Sequence, residues 1–244
     1  MKITKGVILA GGLGTRLYPL TDITNKHLLP VYNQPMIYYP IQTLVQAGIN
    51  ELLIVVGGPH AGHFVGILKN RKKLGVKHLE LVYQEKPDGG IADALCLAED
   101  FADGGSIAAI LGDNTTDADI KKEVQSFRVG AHLFLKKVSD PERFGVPEFV
   151  VVNGVTKIKK IIEKPKNPPS SYAVTGFYLY DSTVFERIKS LKPSKRGQLE
   201  ITDLNNLYLK EGRLTWSELN GFWKDAGTFD SLYEVNSFWK LKKE

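Results

Sequence analysis

Over roughly the first 130 of the 244 residues, short and nearly unbroken apolar runs take turns with helix-length amphipathic stretches. Val7–Ala10, Glu51–Val56 (ELLIVV), His78–Tyr83 and Ser106–Leu111 (SIAAIL) read as strands. Met36–Ala47, His63–Asn70, Ile91–Phe101 and Asp117–Phe127 read as helices, with Gly48 placed to stop the first of them. A strand that is apolar at every position must be covered on both faces, which only helices on either side of a parallel sheet can do. This half is therefore expected to form a doubly wound α/β unit.

After Gly130 the rhythm changes. Ala131–Val138, Phe144–Val152 and Val155–Glu163 look like strands, the last two joined by Asn153-Gly154, a strong hairpin signal. Tyr172–Tyr180 and Arg213–Leu219 are further strands. Ser182–Leu191, Leu199–Leu209 and Thr228–Lys242 are helical. The expected whole is a mostly parallel, Rossmann-like sheet with a mixed α+β portion woven onto it, with no linker or repeat.

Composition removes other classes. A single cysteine, Cys96, forbids an internal disulfide or a CxxC site. No apolar run approaches the roughly 18 residues of a membrane span, and the N-terminus lacks a cleavable leader pattern. The expectation is a soluble, cytoplasmic protein. The 32 Lys+Arg against 27 Asp+Glu leave a surplus of +5, spread along the chain, so no nucleic-acid tail is indicated.

The sharpest local feature is Leu9-Ala10-Gly11-Gly12-Leu13-Gly14-Thr15-Arg16, directly after the first strand. Glycines let backbone N–H groups approach a phosphate, and Arg16 adds a planar fork of donors. The spacing is neither GxGxxG nor GxxxxGK[ST], so neither a dinucleotide fingerprint nor a Walker loop is assigned. A tight turn without a ligand is the competing reading. Lys26 follows in NKHLLP; taken alone it reads as a solvated surface lysine.

Asp113 closes the fourth strand in LGDN, and Asp225 lies in FWKDAGT. Two such carboxylates suffice for Mg²⁺ if they meet, since that ion uses one or two carboxylates plus substrate phosphates. Each alone reads rather as an Asx turn or helix cap. Glu163-Lys164-Pro165 and Arg196 offer an acid and cations for hydroxyls and a phosphate, or else surface charge pairs. Gln84 ends the third strand with a side-chain amide, a donor–acceptor pair suited to a pyrimidine edge or to a plain strand terminus. Cys96, the pair His60-x-x-His63, Tyr38-Tyr39 and Trp239 read as packing rather than chemistry.

LAGGLGTRLYPLT, NKHLLPVYNQPMIYYPIQTL, LGDN, FGV, EKP, YAVTGFYLYD, RGQLEITDLN and WKDAGT stand in this order from residue 9 to about 228. Together they resemble the sugar-1-phosphate nucleotidylyltransferases, most nearly the short form of the glucose-1-phosphate thymidylyltransferases. The resemblance implies one nucleotidyltransferase domain over 1–244, with about 1–130 binding the nucleotide and about 131–244 the sugar. It implies that Leu9, Gly11, Gly12, Gly14, Thr15 and Arg16 cradle a nucleoside triphosphate, with Lys26 at the reacting phosphates. Gln84, Pro87 and one of Gly89 and Gly90 read the base. Asp113 and Asp225 hold Mg²⁺. Gly145, Glu163, Val174 and Tyr178 line the hexose site, Lys164 and Arg196 grip the sugar phosphate, and Trp223 sits beside the metal loop.

By the same resemblance dTTP and glucose 1-phosphate are the substrates, with no nucleic acid or membrane partner. A homotetramer or dimer is implied, as is a role in making activated deoxysugars such as dTDP-rhamnose. Three departures stand out. The stretch Glu85–Gly90 is one residue longer than usual, Asp93 replaces a common glutamine, and the extra C-terminal helices of the longer form are not expected, nor feedback control through them. No Ser/His/Asp or Cys/His arrangement is evident, in keeping with a phosphate nucleophile that needs no strong base. A uridylyl- or cytidylyltransferase and a non-catalytic nucleotide-sugar sensor are the alternatives; a dinucleotide-dependent dehydrogenase lacks its fingerprint.

Overall fold

The computed structural model describes residues 3–243. The chain runs β1 (Lys5–Ala10), β2 (Pro30–Val31), β3 (Gln34–Pro35), α1 (Tyr38–Gln46), β4 (Glu51–Gly57), α2 (Val65–Asn70), β5 (His78–Gln84), α3 (Ile91–Cys96), α4 (Glu99–Ala102), β6 (Ile107–Leu111), β7 (Asn114–Thr116) and α5 (Lys121–Ser126). It continues β8 (Ala131–Lys137), β9 (Gly145–Val152), β10 (Val155–Glu163), β11 (Tyr172–Tyr180), α6 (Val184–Ser190), α7 (Ile201–Lys210), β12 (Leu214–Glu218), β13 (Trp223–Asp225) and α8 (Phe229–Lys243). Among the described residues no helix is long and apolar enough to cross a membrane.

Seven strands form one sheet in the order β12-β8-β11-β6-β1-β4-β5. Four of its six pairings are parallel, and β11 alone runs against both neighbours. The unbroken apolar runs behave as their composition requires. In β1, Ile8 and Ala10 enter one core while Val7 and Leu9 enter the other. In β4, Ile54 and Val56 face the first core and Leu53 and Val55 the second. Helix α1 covers the first face with Ile41 and Leu44. Helices α3, α6 and α7 cover the second with Leu95, Ile188 and Leu204.

Two expected helices differ. Ile91–Phe101 breaks at Leu97–Ala98 into α3 and α4. Asp117–Phe127 shortens to α5, because Asp117 accepts hydrogen bonds from Phe222 N (2.7 Å) and Lys242 Nζ (2.5 Å) instead of opening a helix. Two small antiparallel pairs, β2–β3 and β7–β13, were not foreseen.

The carboxyl ends of β1, β5 and β6 lie on one edge of the sheet, the usual place for a ligand in such folds. Antiparallel β11 brings its beginning to the same edge. Its pairing with β8 slips between Val174 and Tyr178, an irregularity of the kind that re-aims side chains beside a site. Gly176 lies in that slip, its N–H donating to Asn114 Oδ1 at 3.1 Å. A Cβ there would stand 2.8 Å from the same oxygen.

Candidate active site

The loop after β1 borders a cavity of about 460 Å³. Gly14 takes φ +69 and leads into a short 3-10 turn, Thr15–Leu17, closed by Leu17 N donating to Gly14 O at 2.9 Å. A Cβ on Gly14 would stand 2.9 Å from Lys26 Cβ, and one on Gly11 only 2.3 Å from Gln84 Oε1. Both glycines are thus required by close neighbours, and those neighbours are two of the nominated site residues. Leu9, Gly12, Thr15 and Arg16 line the same cavity.

Lys26 is not a solvated surface lysine. Its Nζ lies 2.5 Å from Asp113 Oδ2, with the two side chains only 12% and 11% exposed. The 3-10 turn Lys26–Leu28 holds it there. Asn25 caps that turn by accepting from His27 N at 3.0 Å and His27 Nδ1 at 2.7 Å. Burial, reinforced by Lys26, pushes the His27 imidazole down to about 3, so it is neutral at physiological pH. Burial alone would raise the Asp113 carboxyl, yet Lys26, His27 and Asn114 together hold it well below the usual range.

Asp225 reaches the same place through β13. That strand pairs with β7 so that Asp225 lies opposite Asn114, and Ala226 N donates to Asp113 O at 2.8 Å. Arg143 Nη2 donates to both Asp225 oxygens, at 3.1 and 3.0 Å. Burial and then the neighbouring Asp113 raise the Asp225 carboxyl despite Arg143 and Arg16. A Cβ on Gly227 would stand 2.9 Å from Arg16 Nη2 and 3.0 Å from Asp225 Oδ2, so Arg16 crowds this end too. Two buried carboxylates that sense each other's charge in one cavity fit a hard divalent cation. No group of three or more candidate ligands exists among the described residues, so the remaining positions would fall to substrate oxygens and water.

Glu163, which also lines the cavity, is a second hub. Its Oε2 accepts from Thr202 Oγ1 at 2.6 Å; its Oε1 lies 3.5 Å from Lys164 Nζ and 3.3 Å from Arg196 Nη2. Lys164 holds the left-handed φ of +43, uncommon for a residue with a side chain and a conformation that clusters at functional sites. Gly145, Val174 and Tyr178 line the cavity below. Burial raises the Tyr178 hydroxyl well above its ordinary value, so it stays protonated. Trp223 lines the cavity while its indole N–H donates to Asn114 Oδ1 at 2.7 Å, which ties the carboxylate wall together.

Pro87 and Gly90 line the cavity; Gly89 does not, its nearest side-chain neighbour being Asp93. Several lining residues had been nominated by nothing: Arg143, Asn114, Gln198 and Thr202. Arg143 directly precedes Phe144-Gly145-Val146 and the other three lie within quoted motifs, so the signal was adjacency rather than chemistry. His60 and His63 pack ring to ring at 5.1 Å, and Tyr39 packs on Trp239 at 4.6 Å.

The family model for nucleotidyl transferases matches residues 5–241. A Neisseria gonorrhoeae glucose-1-phosphate thymidylyltransferase is 44% identical over 96% of this chain and 82% of that relative. A provisionally assigned glucose-1-phosphate thymidylyltransferase from Bacillus anthracis, crystallised with a sucrose, is 51% identical; the match covers 96% of this chain and 94% of that one, with a TM-score of 0.88. A UDP-glucose pyrophosphorylase solved with UDP-glucose is 25% identical over 98% of this chain and 99% of that one, at a TM-score of 0.86. By fold and sequence, this chain belongs to the nucleotidyl transferase family, among the sugar-1-phosphate nucleotidylyltransferases typified by the glucose-1-phosphate thymidylyltransferases.

Proposed function

We propose that the chain transfers the thymidylyl group of dTTP to glucose 1-phosphate, giving dTDP-glucose and pyrophosphate. The observation that carries this reading is the convergence of Arg16, Lys26, Lys164 and Arg196 with two buried carboxylates on one cavity. The reaction asks for that combination. A phosphate monoester is largely dianionic at neutral pH, its second pKa being about 6, so it is already a nucleophile. The obstacle is the repulsion between it and the triphosphate, which cations aimed at the reacting oxygens reduce.

In this reading the glycine loop and Arg16 hold the β- and γ-phosphates through backbone N–H groups and the guanidinium. Lys26 stands at the α-phosphate and stabilises the charge that grows there as the bond to pyrophosphate breaks. Lys164 and Arg196 hold the sugar phosphate in line with that phosphorus. Glu163 and Gly145 meet the hexose, and Tyr178 lies beneath it. Gln84, Pro87 and Gly90 meet the base. Asp113 and Asp225 would hold Mg²⁺, which would supply positive charge to offset the negative charge of the phosphates. Thus residues before about 130 serve chiefly the nucleotide and later ones the sugar. No general base is needed: His27, the histidine that lines the cavity, is neutral and tied to Asn25.

Family likeness also supports a cytoplasmic homo-oligomer, which sedimentation of the purified chain checks. The function itself is tested by pyrophosphate release from dTTP, UTP and CTP with glucose 1-phosphate as acceptor. Release that requires both glucose 1-phosphate and Mg²⁺ and is fastest with dTTP supports the reading; binding without release contradicts it.

A further inference from the structure

We propose that Asp93 is a positioning residue that fixes which way round the Gln84 amide faces the base. In doing so it selects thymine or uracil over cytosine. The inference rests on the proposed transfer and on Gln84 meeting the base.

Gln84 ends β5, is 3% exposed and borders the cavity. Its Nε2 donates to Asp93 Oδ2 at 2.8 Å, its one hydrogen-bond partner among the described residues. Asp93 sits in the first turn of α3. It is hemmed in: a Cβ on Gly89 would lie 2.4 Å from its Oδ2. The stretch that packs it is itself tied down, with Leu199 N donating to Gly89 O at 2.9 Å. Gly90 takes φ +102, and a Cβ there would meet Leu199 O at 2.5 Å.

An ionised carboxylate only accepts hydrogen bonds. The NH₂ end of the amide must therefore face Asp93, and turning it over would set Oε1 against a negative oxygen. Oε1 stays beside Gly11, where no side chain obstructs it. One N–H and the neighbouring oxygen remain for a ligand, in a fixed order. Thymine and uracil present N3–H beside an accepting O4. Cytosine presents an accepting N3 beside an N4 amino donor, the reverse pattern. A freely turning amide suits both; an amide held by Asp93 suits one. A side-chain amide at position 93 faces Gln84 with either end and imposes no such order.

The test measures dTMP and dCMP binding by calorimetry, and kcat/KM for dTTP and dCTP, in wild type, Asp93→Asn, Asp93→Glu and Gln84→Leu. Wild type should prefer the thymine nucleotides by about tenfold or more. Asp93→Asn should narrow that ratio severalfold, through KM more than kcat, at unchanged thermal midpoint, and Asp93→Glu, which keeps an acceptor-only group, should retain more of it than Asp93→Asn. An unchanged ratio in Asp93→Asn, with the ratio lost in Gln84→Leu, overturns the role of Asp93 and leaves Gln84 as base reader. An unchanged ratio in both variants overturns both. Absence of turnover with every nucleotide refutes the proposed transfer, while the binding ratios still decide the role of Asp93.

Discussion

Replacing Lys26 with Met removes a charge from the cavity while keeping most of the stem. Lys26 and Asp113 are nearly buried and in direct contact at 2.5 Å. Removing one member of a fully buried ion pair costs roughly 3–5 kcal/mol of stability. Here Asp113 keeps Asn114 Nδ2 at 3.0 Å and borders the cavity. The expected loss is therefore nearer the cost of an unpaired buried polar group, about 1–3 kcal/mol. At about 2–4 °C per kcal/mol for a chain of this size, the thermal midpoint should fall by roughly 2–12 °C. Catalysis should suffer more. A donor aimed at developing charge is worth about 2.7–4 kcal/mol, so kcat/KM should drop roughly 10²–10³-fold. The assay is pyrophosphate release measured well below the variant's midpoint. Adding Asp113→Asn removes the stranded charge, so the double variant should regain stability without regaining turnover. A Lys26→Met enzyme within threefold of wild type would refute the reasoning.

Three further outcomes follow from the same geometry. Gly227→Ala places a methyl 2.9 Å from Arg16 Nη2 and 3.0 Å from Asp225 Oδ2, so kcat/KM should fall about tenfold or more while the fold persists. Unchanged turnover would mean that neither group needs its present place. Burial lowers the His132 imidazole to about 4 from an ordinary 6.5. The unfolded chain therefore binds the extra proton first, and stability that is complete above pH 6.5 drains away as pH falls toward 4. His132→Gln should shrink the drop in urea midpoint across that window, by an equivalent of at most about 3 kcal/mol; an identical pH profile would count against it. Arg143→Met should strengthen Mg²⁺ retention in equilibrium dialysis, because it removes a cation that occupies both Asp225 oxygens; equal retention would show that the guanidinium does not compete with the ion.

The parallel half of the sheet was legible because β1, β4 and β6 are apolar at nearly every position, a pattern that only two-sided burial satisfies. The glycine loop was legible because Gly11 and Gly14 are tied to close approaches by Gln84 and Lys26. What brings Asp113 and Asp225 together was not. It depends on three-residue strands β7 and β13, whose register pairs Asn114 with Asp225 across more than a hundred residues. Strands so short carry no periodicity. Arg143 was missed for a related reason: its importance comes from Asp225, and nothing in Asp140-Pro141-Glu142-Arg143 announces that contact. The break between α3 and α4 has no glycine or proline to mark it.

In the proposed transfer, basic side chains from distant segments bring two anions together over a pair of buried carboxylates. The most direct measurement is a crystal structure with a non-hydrolysable dTTP analogue, glucose 1-phosphate and Mg²⁺. The α-phosphate should lie against Lys26, the sugar phosphate against Lys164 and Arg196, and the metal between Asp113 and Asp225. A nucleotide whose α-phosphate lies away from Lys26, or a metal held by neither aspartate, would contradict it.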